Sequence, residues 1–228
     1  MSDDSPAAIT VVVWDWPVRF VHWAMVVLVA ALLTTGLIGG DMLLVWHMRA
    51  GATLLALVLF RVLWGFAGSR NARFASFVRG PAAVVAYAKS IRRPDRHAYA
   101  SHNPLGGWMT VAILVALLVQ AGTGLFTNDD VLTEGPLARL ITKDMSDAIS
   151  TLHRRGWWLV AGLALIHIVA VLSYLVVLKD NLIGAMASGR KRLPLGVART
   201  DDAAASNARA IAVLALCAAV VWWTVNRL

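Results

Sequence analysis

Four histidines have the types and spacing to hold metal. His153 and His167 lie fourteen positions apart in one apolar stretch, Leu152 to Leu178. On a helix, that spacing is about 21 Å along the axis and only about 40° around it, so both face one side at two depths. His22 stands near the start of the first apolar stretch and His47 near the start of the second. A polar ring inside a bilayer is costly and marks a function with partners to be found. Two imidazoles at each of two depths suggest two bis-histidine metal centres, and in an apolar bundle the natural candidate is a pair of haems, each sandwiched between ligands from different helices. Zinc or copper held by two imidazoles without carboxylate or thiolate would be incompletely coordinated. The nearby Met25, Met48 and Met109 read as apolar gap-fillers rather than axial ligands.

The elements that must position these rings follow from composition. Of 228 residues, 59% are apolar and 15% charged, too greasy for a soluble globular domain. Apolar runs of spanning length occur at about Pro17 to Ile38, Leu43 to Phe66, Trp108 to Phe126, Trp157 to Leu178 and Ala208 to Val225. Lipid forces each to satisfy its own backbone hydrogen bonds, so the spans are helices. The expected fold is an all-α integral membrane protein: a four-helix transmembrane bundle enclosing two haems, plus a fifth C-terminal transmembrane helix. Its segments are a cytoplasmic tail (1–13), the four-helix di-haem domain (14–178), a basic cytoplasmic linker without domain-like content (179–207) and the additional helix (208–228).

The formal charge of +8 is tempting as a nucleic-acid signal, but its distribution argues otherwise. Arg70, Arg73, Arg79, Lys89, Arg92, Arg93 and Arg96 follow the second span against Asp95 alone. After the third, Arg139 and Lys143 face Asp129, Asp130, Glu134, Asp144 and Asp147. This is the positive-inside asymmetry of a multi-pass membrane protein. It puts the N-terminus in the cytoplasm and the C-terminus, after five spans, in the periplasm. The first residues, MSDDSPAAIT, lack the basic region of a secretory signal. One cysteine, Cys217, and no CxxCH motif leave any haem held only by axial ligands and packing.

The intervening residues supply a second tier of candidates. Arg19 precedes His22 by three positions and can snorkel to the cytoplasmic surface. Gly36, fourteen after His22, would let a flat macrocycle approach the outer half of the first span or simply allow close helix packing. Arg61, fourteen after His47, falls at the inner depth, where a haem propionate would pair it unless it snorkels to the interface. Arg154 and Arg155 flank His153 at the outer interface, as partners for propionates or lipid phosphates. The run from Pro81 to Arg93 reads as an amphipathic surface helix on anionic lipid. In SHNPLGGW, before the third span, Asn103, Pro104, Gly106 and Gly107 would expose backbone donors, and His97 and His102 read as solvated loop residues. The acidic segment after the third span suits a short surface helix from Pro136 to Ser150. The fifth span, with no histidine or acid, is expected on the periphery.

Depth pairs His22 with His167 and His47 with His153. PVRFVHW in the first span, WHMRAG in the second, SHNPLGGW before the third, and LHRRGWW with His167 in the fourth together resemble the bacterial di-haem cytochrome b561 family, which includes the b-type cytochrome subunits of nickel–iron hydrogenases. The resemblance covers about residues 14 to 178. It implies two non-covalent haem b groups, the inner on His22 and His167 and the outer on His47 and His153. It also implies a quinone as substrate near Asn103 and Gly106, with His102 adjacent, and a periplasmic c-type cytochrome or hydrogenase-like partner.

Transmembrane electron transfer between the quinone pool and that partner is therefore the expected function. Two others stay open: a superoxide:quinone oxidoreductase, helped by the cationic patch at Arg154 and Arg155, and a membrane anchor for a hydrogenase-type complex. A histidine-lined proton channel is an outsider.

Overall fold

The computed structural model describes residues 8–91, 99–130, 133–194 and 206–227. Among them five helices are long and apolar enough to cross a membrane. They are α1 (Trp16–Ile38), α2 (Asp41–Ala67), α5 (Pro104–Gly124), α6 (Lys143–Val176) and α8 (Asn207–Arg227). Short helices α3 (Phe74–Phe77), α4 (Pro81–Ser90) and α7 (Leu182–Ser188) join them, and two strands, β1 (Ala8–Val12) and β2 (Arg190–Pro194), complete the set.

Local chemistry places the helix starts. Asp15 caps α1 by accepting from Val18 N at 3.0 Å, with Pro17 in the first turn. Asn103 caps α5 from Gly106 N at 2.8 Å, with Pro104 in its first turn. Thr142 caps α6 from Met145 N at 3.3 Å. Each such cap stabilises its helix by about 1 kcal/mol, and in α1 and α6 it fixes the register at which the histidines enter the bundle. Between α1 and α2 the chain reverses through Gly39 and Gly40, whose φ of 73° and 94° favour glycine.

In the bundle α1 packs on α2, α2 on α5 and α5 on α6. Leu54, Val58, Leu114, Leu117 and Val160 form the seam among α2, α5 and α6. Trp14, Val21, Phe60 and Trp64 form a second core at the inner end, where α1, α2 and α7 meet. Trp64 donates from Nε1 to Asp15 Oδ2 at 2.9 Å, tying the end of α2 to the start of α1. The fifth helix, α8, lies against the outside of α2.

The fold departs from the sequence expectation in three places. Residues 143–150 are not part of a separate surface helix: they are the first turns of α6, which at 34 residues is about 51 Å long and reaches well beyond the bilayer. Ahead of it lies only a 3-10 turn, Ala138–Leu140. The linker is also more structured than its composition suggests. Its β2 pairs antiparallel with β1, from Ala8 opposite Pro194 to Val12 opposite Arg190, so the tail and the linker form one cap under the inner end of the bundle. Finally, α4 does not merely rest on lipid, because Tyr87 is buried and its hydroxyl is 2.6 Å from that of Tyr174 on α6.

Candidate haem sites

The four histidines come together as two pairs. The ring centres of His22 and His167 are 6.4 Å apart and those of His47 and His153 are 6.2 Å apart. Two metal–imidazole bonds of about 2.0 Å to one ion, plus about 1.1 Å from each nitrogen to its ring centre, would give about 6.2 Å. Each pair thus leaves room for one metal ion and nothing thicker. Among the described residues, α6 makes no extended backbone approach to α1 or α2, the helices that carry its partner histidines. Nor does any group of three or more His, Cys, Asp or Glu among these residues converge as a metal site. Two imidazoles per centre would suit an ion whose other positions belong to a planar macrocycle. His22 Nδ1 is buried and has no hydrogen-bond partner among the described residues. The residues present fit haem.

The outer pair is held tightly. His153 Nδ1 donates to the Gln120 carbonyl at 2.9 Å and lies 3.2 Å from Thr123 Oγ1. Since a carbonyl only accepts, Nδ1 carries the proton and Nε2 keeps its lone pair. Gln120 Nε2 in turn donates to the His153 carbonyl at 2.9 Å. Thr35 Oγ1 stands 3.0 Å from His47 Nδ1 and spends its own proton on the Ala31 carbonyl at 2.8 Å, so it accepts from the imidazole. Sequence reading did not find Thr35, Thr123 or Gln120 in these roles, since each acts on a histidine of another helix.

Arg61 is only 5% exposed, which removes the snorkelling alternative. Its Nη1 donates to the Ala72 carbonyl at 3.3 Å and its guanidinium lies 5.4 Å from the Phe74 ring centre. No carboxylate lies within ion-pair distance of it among the described residues, which leaves its charge available to a propionate. Arg19 does not snorkel freely either. Its Nη2 donates to the Ala187 carbonyl, and its Nε is buried without a partner. Arg154 and Arg155 are exposed beside His153.

The turn before α5 differs most from expectation. Asn103 satisfies the backbone donors of Gly106 and Gly107, through its side chain at 2.8 Å and its carbonyl at 2.9 Å, so they are not free for a ligand. Asn103 Nδ2 donates to Tyr174 Oη at 2.8 Å. His102 is not solvated. Its ring centre lies 4.9 Å from that of Trp14 and 4.4 Å from that of Phe77, with Nε2 3.0 Å from Thr110 Oγ1. Burial, with the Arg61 cation next in weight, pushes its pKa down to about 3. His97 lies outside the described residues.

Residues 13–189 match the family model described as prokaryotic cytochrome b561. The chain is similar to a probable Ni/Fe-hydrogenase B-type cytochrome subunit of Bradyrhizobium diazoefficiens, 24% identical over 80% of this chain and 86% of that protein. A similarly named subunit of Rhizobium leguminosarum is 24% identical over 80% and 89%. The probable Ni/Fe-hydrogenase 1 B-type cytochrome subunit of Escherichia coli is 22% identical over 86% and 97%. No solved structure matches.

Proposed function

Since the chain belongs to the prokaryotic cytochrome b561 family, whose b-type cytochromes hold haem b and transfer electrons across a membrane, we propose that it carries two haems and links the quinone pool to a periplasmic redox partner. His22 and His167 are the ligands of the inner haem, and His47 and His153 those of the outer. The observation that carries this reading is the pairing itself: two imidazole pairs at two depths, with ring centres 6.4 and 6.2 Å apart. When bound, haem supplies reversible one-electron chemistry; the protein supplies its ligands, its orientation and an apolar wall.

The haem-carrying unit is residues 14–178, with α8 an addition on its flank, the N-terminus cytoplasmic and the C-terminus periplasmic. Arg61 neutralises an inner propionate, and Arg154 and Arg155 serve the outer haem; Arg19, already committed to Ala187, is the weaker candidate. The quinone binds near Asn103, Gly106 and His102. There the Asn103 amide and the Tyr174 phenol, hydrogen-bonded to each other at 2.8 Å, are the polar groups that would turn to a quinone carbonyl.

The test is a reduced-minus-oxidised spectrum of the detergent-purified protein with pyridine haemochrome quantitation. Two b-type haems per chain are expected, falling to one in His153→Ala and in His167→Ala, with different spectral components lost. One haem per chain in the unsubstituted protein, or loss of the same component in both variants, would overturn the assignment.

A second reading is favoured by the names of the relatives, which are hydrogenase cytochrome subunits: here the periplasmic partner is a hydrogenase-type enzyme and the chain is its membrane anchor. Gentle detergent extraction from the native membrane separates the two. Copurification of a nickel or iron–sulfur subunit supports the anchor, and isolation of the cytochrome alone supports a free-standing quinone-linked carrier.

A further inference from the structure

Thr35-Gly36-Leu37 near the end of α1 recurs as Thr123-Gly124-Leu125 near the end of α5. The two tripeptides occupy equivalent places around the outer histidines. Thr35 Oγ1 is 3.0 Å from His47 Nδ1, and Thr123 Oγ1 is 3.2 Å from His153 Nδ1. The following glycines bear on the same rings. A methyl at Gly36 would stand 3.0 Å from His47 Cε1, and one at Gly124 would stand 3.1 Å from His153 Cε1. In each case one residue grips the back nitrogen of an imidazole on the neighbouring helix, and the next lets the ring lie against the helix backbone.

The inner pair has no such device among the described residues. His22 Nδ1 is buried without a partner there, and no methyl added at a glycine has a His22 or His167 atom among its nearest neighbours.

We propose that Thr35-Gly36 and Thr123-Gly124 form a paired positioning device that holds both outer imidazoles as Nδ1–H tautomers, turns both Nε2 lone pairs toward the gap, and makes the outer haem lower in potential than it would be with unanchored ligands. The physical basis is general. A ligating histidine that donates its other N–H to an oxygen is a more basic ligand, with its tautomer and ring orientation fixed. A more basic axial ligand favours the ferric state, so the outer midpoint falls; unpartnered His22 lacks this effect. The threonines can serve as acceptors because their own protons go elsewhere, Thr35 to Ala31 O at 2.8 Å and Thr123 to Val119 O at 2.8 Å. The two halves are alike in a further respect: each ring also has a backbone carbonyl as a second acceptor, Gln120 for His153 at 2.9 Å and Leu32 for His47, so each threonine supplies part of the anchoring.

This inference rests on the di-haem reading above. The test is potentiometric titration of both haems in the full-length, haem-loaded protein carrying Thr35→Val, Thr35→Ser or Thr123→Val, with His153→Ala identifying the outer component. Thr35→Val is expected to shift the outer ferric/ferrous equilibrium up to tenfold toward ferrous, a rise of up to about 59 mV for one electron, and to leave the inner midpoint in place. Thr35→Ser restores the outer value, and Thr123→Val moves it in the same direction as Thr35→Val. Gly36→Ala and Gly124→Ala, read by haem content alone, lose outer haem selectively. Unchanged midpoints in a fully loaded Thr35→Val protein overturn the proposal. If Thr35→Val loads no outer haem, loading by Thr35→Ser supports the hydroxyl's role, and failure of both variants overturns it as purely steric. Retention of both haems in His153→Ala would instead sink the ligand assignment underneath.

Discussion

Asn103 Nδ2 donates to Tyr174 Oη at 2.8 Å across 71 positions of sequence, fastening the turn before α5 to the inner end of α6. The same phenol is 2.6 Å from Tyr87 Oη. Three segments, α4, the α5 turn and α6, therefore converge on one hydroxyl. It lies seven residues, about 10.5 Å of helix, beyond His167 on a similar face of α6.

Removing that hydroxyl tests the quinone placement. Tyr174→Phe keeps the ring and its packing but deprives Asn103 and Tyr87 of their common partner. Haem content and spectrum should stay as in the unsubstituted protein, while reduction of the haems by a short-chain quinol slows several-fold. An unchanged quinol rate at full haem content would move the quinone away from this turn.

Arg61 gives a prediction of sign. A cation near the inner pair favours the state with one more electron, so Arg61→Met should lower the inner midpoint potential and leave the outer one in place. The haem-loaded protein should also melt at a lower temperature, because removing one partner of a buried ion pair leaves the propionate uncompensated. A redox titration in which the inner midpoint rises or stays put would contradict this role.

His102 should make the fold acid-sensitive. Its ring titrates near 6.5 when unfolded and near 3 in the folded chain, so the folded state binds fewer protons across that interval. Its contribution to stability is complete above about pH 6.5 and is lost progressively as pH falls toward 3. The groups facing it are neutral Trp14, Phe77 and Thr110, with the Arg61 cation and the inner imidazoles in electrostatic range. Between pH 7.5 and 5 the melting temperature of His102→Gln should therefore fall less than that of the unsubstituted protein. Equal falls would show that His102 is protonated without penalty.

The fifth helix should be dispensable for haem binding. Trp16 Nε1 donates to Asn207 Oδ1 at 2.7 Å and Arg209 Nη1 to the Ala67 carbonyl at 3.3 Å, and α8 covers α2 on the side that includes Leu55 and Ala56. Lipid can take its place there without a hydrophobic penalty. A chain ending before residue 206 should retain both haems and melt roughly 4–8 °C lower, as expected for a loss of about 2 kcal/mol in a protein of this size. Loss of haem on truncation would place α8 inside the functional unit.

The sequence by itself determined the five spans and, from the helical positions of the four histidines, which rings would face each other. These follow from local sums: hydropathy over about twenty residues, rise per residue, and the requirement that lipid-embedded backbone be helical. Only tertiary structure decided what each ring leans on. Thr35 is an unremarkable helix residue until α2 brings His47 to within 3.0 Å of it. His102 reads as a loop residue until Trp14 and Phe77, from two distant segments, close over it. The basic linker reads as shapeless until β2 finds β1 near the other end of the chain. Contacts between helices depend on their rotation and approach, which the side chains of several segments set jointly. No window of one segment contains that information.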